Sequence, residues 1–147
     1  MSPDNRIEIL LIEDSPEDAE MTLRAFKNNN LTNKILVIDD GAEALEYIFS
    51  EIVGKDGELS HSPKLILLDL KLPKVSGLEI LKRLKGDERT KTIPVVVMTS
   101  SEQEQDMVES YKLGVNSYLV KPVDFKKFTE AVGQLGLYWM LLNKFPG

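Results

Sequence analysis

Lys64 to Pro73 reads KLILLDLKLP. Leu65, Ile66, Leu67 and Leu68 run without a polar residue between them. That is the pattern of a strand buried on both faces of a parallel sheet, not of one alternating between core and water. A piece of buried helix has the same composition, but Pro63 and Pro73 bracket the run more tightly than the roughly ten residues a helix needs. The run closes on Asp69. Open α/β sheets bind ligands beyond the carboxyl ends of their strands, so this carboxylate stands where a site belongs. The plainer alternative is that it caps the next loop.

Working outward, four more apolar runs repeat the pattern. Ile7 to Ile12 closes on Glu13 and Asp14, Ile35 to Ile38 on Asp39 and Asp40, Pro94 to Met98 on Thr99 and Ser100, and Ser117 to Val120 on Lys121 and Pro122. Helical segments separate them. Ser15 caps the first, with Pro16 in its first turn and Asp18 three residues after the cap, and Ala19, Leu23 and Phe26 form its apolar stripe. Asn28, Asn29 and Asn30 end it. A second helix follows Gly41, with Ala42, Leu45, Ile48, Phe49 and Ile52 apolar. Ser76 with Glu79, and Ser101 with Glu104, read as capping boxes for two more. The first of these turns Ile80, Leu81 and Leu84 inward and stops at Gly86; the second carries Met107, Val108 and Tyr111 and stops at Gly114. A last helix begins near Asp124. Val53 to Pro63 is a polar loop holding the single histidine, His61, read as solvated. Strand and helix therefore alternate five times, which predicts an α/β fold: a parallel sheet with helices on both faces.

The bulk numbers bound the rest. The chain has 147 residues, enough for one domain with its own core, and the expectation is a single domain over 1–147. A hydrophobic content of 42% and a charged content of 29% are those of an ordinary globular chain. The net charge of -6 argues against direct nucleic-acid binding, which wants a basic surface. There is no cysteine, so disulfides and thiolate metal sites are excluded, in keeping with a cytoplasmic location. MSPDNRIEIL has neither the basic nor the apolar part of a secretory signal, and no apolar run approaches the roughly 20 residues of a membrane span.

If the strands are ordered 2-1-3-4-5, the first and third are neighbours at the switch point. Glu13, Asp14 and Asp69 then share one small site. Three carboxylates repel one another and call for a cation; oxygen ligands alone favour a hard ion that keeps several waters, which is Mg2+. Lys121 enters from the other side as a fixed positive charge, with the Thr99 hydroxyl beside it. Such a site suits a phosphoryl group, whose oxygens the cation and lysine neutralise while an aspartate attacks phosphorus. Singly, each of these acids has a plain reading as a helix cap, and Lys121 as a surface charge; together the five are far more specific.

These residues resemble the receiver domain of bacterial two-component response regulators. IEDSPED (Ile12 to Asp18), LLDLKLPKVSG (Leu67 to Gly77), VVVMTSS (Val95 to Ser101) and YLVKP (Tyr118 to Pro122) match that family in order and spacing over nearly the whole chain. The resemblance implies a flavodoxin-like, doubly wound five-stranded sheet with five helices. It implies that Asp69 is the phosphoacceptor and that Glu13 and Asp14 hold Mg2+ together with Asp69 and the main-chain carbonyl of Lys71. Lys121 would contact the phosphoryl group ahead of a cis bond to Pro122. Thr99 would move toward the phosphoryl oxygens, and Tyr118 would turn inward behind it as the switch. Two departures matter: Lys71, two residues after the aspartate, and Ser101, two after Thr99, occupy positions that vary in the family and flank the path of attacking water, so they set lifetime and leave phosphorylation itself intact. The polar loop before Pro63 and the tail LYWMLLNKFPG are similar to the small response regulators that partner bacterial phytochromes.

The expected function is therefore that of a stand-alone response regulator. It takes a phosphoryl group from a sensor histidine kinase, which the second resemblance makes a phytochrome, and changes its partner contacts, with only autophosphorylation and autodephosphorylation as activities. The alternatives are a magnesium-dependent aspartyl-nucleophile hydrolase and a scaffold that is never phosphorylated. The hydrolase wants a second aspartate two residues after the first, where this chain has Lys71. Finally, an extended C-terminal helix or tail from about 136 is apolar on the face opposite its core stripe, at Leu137, Tyr138, Met140 and Leu141. Such a surface should be buried, and the expectation is a homodimer.

Overall fold

Five parallel strands form one sheet in the order β2-β1-β3-β4-β5. They are β1 (Ile9–Ile12), β2 (Ile35–Ile38), β3 (Leu65–Leu68), β4 (Val95–Thr99) and β5 (Ser117–Val120). Helices α1 (Pro16–Asn28), α2 (Gly41–Tyr47), α3 (Gly77–Gly86), α4 (Glu104–Leu113) and α5 (Phe125–Gln134) alternate with them. This computed structural model describes residues 7–29, 31, 33–53, 62–100 and 102–134. His61, Ser101 and the tail residues Leu137, Tyr138, Met140 and Leu141 lie outside the described residues. Among the described residues, no helix is long and apolar enough to cross a membrane.

The continuous apolar run of β3 has a simple cause: its alternate side chains feed two different cores. Ile66 and Leu68, with Leu10, Ile12, Val95 and Val97 from the neighbouring strands, belong to a larger core that also takes in Ile48, Ile80, Leu81 and Leu84. Leu65 and Leu67, with Ile9, Leu11 and Val96, face a smaller core closed by Ala19 and Phe26 of α1 and Phe128 of α5. The rings of Phe26 and Phe128 lie 5.0 Å apart. All four β3 side chains are fully buried, each contributing about 1.5–3 kcal/mol.

Local chemistry starts and stops the helices. Ser15 Oγ accepts the Asp18 N–H at 3.2 Å, and Pro16 needs no donor at the first helical position. Asp40 caps α2 through the Glu43 N–H at 2.7 Å, and Ser76 caps α3 through the Glu79 N–H at 3.3 Å. Gly114 ends α4 in the left-handed region at φ 103°.

Three expectations need correcting. The N-cap of α4 is Gln103, not Ser101, which lies outside the described residues. The first turn closes on the Gln103 carbonyl, which accepts from the Asp106 and Met107 N–H groups, and the Gln103 side chain makes no capping hydrogen bond. The second helix is α-helical only to Tyr47; Ile48–Ile52 winds as a π-helical turn, with the Val53 N–H reaching back five residues to the Ile48 carbonyl at 3.0 Å. Leu23 is 38% exposed, because the buried face of α1 runs through Ala19 and Phe26 and leaves Leu23 on its flank.

Candidate functional site

Register brings the site together. Ile12 pairs with Ile38 on one side and with Leu68 on the other. The Asp69 N–H donates to the Ile12 carbonyl at 3.0 Å, and the Glu13 N–H to the Ile38 carbonyl at 3.0 Å. Glu13 and Asp69 therefore leave the sheet side by side. One strand further, Thr99 pairs with Val120, and the Lys121 N–H donates to the Thr99 carbonyl at 2.8 Å, so the lysine emerges at the same edge. The Lys121–Pro122 bond is cis. Two glycines let loops crowd this edge. A Cβ on Gly77 would run into the main-chain carbonyl of Asp69 and the Cα of Leu70, and one on Gly41 into the carbonyl of Val75.

Carboxylate oxygens of Glu13, Asp14 and Asp69 all lie within 4.8 Å of one another. Glu13 and Asp69 are buried and Asp14 is exposed, an arrangement that leaves part of a cation's shell to water. This all-oxygen set fits a hard divalent ion. Asp39, Asp40 and Glu43 form a separate acidic group, accounted for by the α2 cap and by Lys74, whose ammonium is 3.5 Å from Asp40.

Lys121 is the hub of the charges. Its ammonium donates to Glu13 Oε1 at 2.6 Å, Asp18 Oδ2 at 2.8 Å and Asp69 Oδ2 at 2.9 Å. The other Asp69 oxygen accepts the Lys71 N–H at 3.1 Å. Burial alone would push Asp69 up, but the Lys121 hydrogen bond, the Lys71 N–H and the Thr99 hydroxyl together hold it below the usual aspartate value. Burial raises Glu13 from 4.5 to about 7, aided by the charge of Asp69 and opposed by the Lys121 hydrogen bond. Burial works against the Lys121 ammonium too, yet hydrogen bonds to Asp18, Glu13 and Asp69 hold it above its ordinary range. The result is an ionised, partly shielded carboxylate, Asp69, facing a fixed ammonium: a nucleophile beside a neutralising charge.

Thr99 is fully buried behind this pair, and Tyr118 points into the larger core with only 7% of its surface exposed. The structure brings the expected residues Glu13, Asp14, Asp69, Lys71, Thr99 and Lys121 to one edge of the sheet. The sequence reading missed Asp18. The Ser15 cap explained that residue's backbone, and its carboxylate was left without a task. The signal was its place in the first turn of α1, directly after the acidic pair Glu13 and Asp14 that closes β1, which keeps it at the same end of the sheet.

A five-stranded doubly wound sheet carrying an acidic triad, a buried threonine and a lysine at its carboxyl edge is the architecture of a phosphoryl-accepting switch. Residues 9–133 match the response regulator receiver domain, and the chain belongs to that family. It is 40% identical over 139 residues to the probable methanogenesis regulatory protein FilR2 of Methanothrix harundinacea, covering 95% of this chain and 87% of that one. Response regulator Rcp1 of Synechocystis is 37% identical over 140 residues, with 94% and 92% covered. The Mn(2+)-bound form of Rcp1 superposes with a TM-score of 0.73 at 34% identity, covering 97% and 99%. The bacteriophytochrome response regulator RtBRR superposes with a TM-score of 0.77 at 48% identity, covering 94% of this chain and 82% of that one. The protein is thus a receiver-domain response regulator of two-component signalling, a signalling switch homologous to phytochrome-partner regulators. Receivers of this kind are phosphorylated by sensor kinases and bind Mg2+ or Mn2+ at their acidic site.

Proposed function

We propose that Asp69 is the phosphoacceptor and that a sensor histidine kinase, specifically a bacterial phytochrome, is the donor. The observation that carries this reading is the setting of Asp69: an ionised carboxylate with Lys121 at 2.9 Å on one oxygen and the Lys71 N–H at 3.1 Å on the other. An Asp69 oxygen attacks the phosphorus of the donor's phosphohistidine. The P–N bond breaks, its electron pair stays on the imidazole nitrogen, and solvent protonates that nitrogen. Lys121 neutralises charge on the transferring oxygens. Glu13, Asp14, Asp69 and the main-chain carbonyl of Lys71 are the ligands for Mg2+. When bound, the ion supplies the remaining positive charge for the phosphoryl oxygens.

The new negative charge then draws the Thr99 hydroxyl from the carboxylate to a phosphoryl oxygen, while Tyr118 stays packed inside. The Thr99 shift is the moving part of the switch that alters partner contacts; Tyr118, expected to turn inward, already faces the core here. We assign the phytochrome donor by similarity to RtBRR and Rcp1. We read the protein as cytoplasmic, as one receiver domain over 1–147 with its extended tail, as making no direct contact with nucleic acid or membrane, and as turning over no external substrate. Self-association into a homodimer through Leu137, Tyr138, Met140 and Leu141 completes the reading.

Incubation with acetyl phosphate and Mg2+, followed by intact mass, tests the core of it. The wild type should gain the mass of one phosphoryl group and Asp69→Asn none. Equal labelling of the variant would move the acceptor elsewhere.

A further inference from the structure

A lysine ammonium carries three hydrogens. In this structure all three are spoken for by Glu13, Asp18 and Asp69, at 2.6, 2.8 and 2.9 Å. None is left for a phosphoryl oxygen. Contact with a phosphoryl group therefore requires Lys121 to let one carboxylate go.

The three are not equal. The side chains of Glu13 and Asp69 are 4% and 6% exposed. Until transfer, stripping the counter-ion from the ionised Asp69 leaves a charge in a dry place, which is costly, and Glu13 makes the shortest of the three contacts. Asp18 is 39% exposed, and water replaces the ammonium there cheaply. It lines the open cavity of about 580 Å³ that runs from Lys121 along Met21 and Phe26 to Phe125, so its carboxylate turns into solvent with no movement of α1. Its backbone is fixed meanwhile, because the Ser15 cap holds the Asp18 N–H.

We propose that Asp18 is a positioning residue that holds Lys121 back from the phosphoryl group and so limits how fully the phosphorylated state is occupied. The proposal deepens the phosphoacceptor assignment of Asp69 and rests on it. Two effects of one sign support it. Asp18 competes with the phosphoryl oxygens for the ammonium. It also adds a fourth carboxylate to Glu13, Asp14 and Asp69 around one lysine, and phosphorylation brings further negative charge to the same place. Neutralising Asp18 relieves both. A carboxylate that merely ties α1 to the end of β5 would act the other way, since its loss would loosen the site.

The experiment compares wild type, D18N, D18E and D69N as full chains. Beryllofluoride serves as the phosphoryl mimic at saturating Mg2+, and the acyl-phosphate half-life is measured after acetyl phosphate, whose P–O bond to acetate breaks as Asp69 bonds to phosphorus. D18N should bind beryllofluoride about three- to tenfold more tightly and keep its phosphoryl group longer, while D18E, which retains the carboxylate, should stay near wild type. In the metal-free protein the proton–nitrogen resonance of the Lys121 ammonium should shift in D18N. That readout needs no phosphoryl chemistry. A second variant, D18A, should follow D18N in direction. Equal or weaker beryllofluoride binding by D18N and D18A, with wild type binding normally, overturns the role of Asp18 and leaves Asp69 untouched. Binding by D69N as tight as wild type sinks the phosphoacceptor assignment itself.

Discussion

Glu13, proposed as a cation ligand, carries a pH prediction. Burial and the neighbouring Asp69 charge raise it from 4.5 to about 7, against the Lys121 hydrogen bond. The folded chain then keeps a proton that the unfolded chain gives up, so without metal its stability contribution is full below 4.5 and is lost as the pH rises to about 7. A divalent ion needs the carboxylate and displaces that proton. Mg2+ affinity should therefore climb by up to about tenfold per pH unit between roughly pH 5 and 7 and level off above. Titration at constant ionic strength would read this directly, and Glu13→Gln should be both weaker and flat across that range; a flat wild-type profile would contradict the assignment. The neighbouring residue Asp18 shows where residue-scale reading stops. A cap is a backbone event, visible as Ser15 and Asp18 three apart. What the Asp18 carboxylate touches depends on β5 arriving at the same edge over a hundred residues later in the chain, and no local pattern carries that.

Among the elements, the loop from β3 into α3 is the most constrained. Gly77 opens α3 with its Cα pressed on the Asp69 peptide, and its N–H donates to the Leu70 carbonyl at 2.9 Å. Lys74, in the same loop, sits at φ 69°, a region L-residues rarely adopt. Adding one methyl at Gly77 must push the Asp69 peptide aside. Gly77→Ala should cost about 1–3 kcal/mol in urea unfolding and slow acetyl phosphate labelling; wild-type stability with wild-type labelling would show that the loop yields freely. The elements themselves were largely legible. Four-residue aliphatic runs closed by polar residues marked β1, β2 and β3, VVVM marked β4 and the shorter YLV marked β5, and Ser15 and Ser76 marked two helix starts. The α4 start was not legible. SSEQEQD offers several polar residues in a row, and Gln103 takes the cap position with its backbone carbonyl, without a side-chain cap hydrogen bond. The π turn at Ile48–Ile52 was hidden for another reason. Residues four apart, Ile48 and Ile52, are both buried in it, so its apolar spacing passes for that of an α-helix.

For the molecule as a whole, two surfaces outside the site matter. Val108 and Tyr111 on α4 are 45% and 49% exposed, so this helix shows apolar groups to solvent where the sequence reading left their direction open. The tail beyond Gln134 carries the proposed dimer contacts. Sedimentation across a concentration series should show a dimer, and Tyr138→Asp with Met140→Asp should return it to monomer; a wild type that stays monomeric throughout, phosphorylated or not, would exclude it. The division of the interior into two cores also bears on how the chain is made. The larger core draws on helices that lie between the strands in sequence. The smaller one is finished only when Phe128 reaches Phe26, so its lid leaves the ribosome after all five strands. Until then Ile9, Leu11, Leu65, Leu67 and Val96 are covered by α1 and Leu31 but not by α5, and the nascent receiver carries a partly uncovered greasy face that invites capture by chaperones or by neighbouring chains.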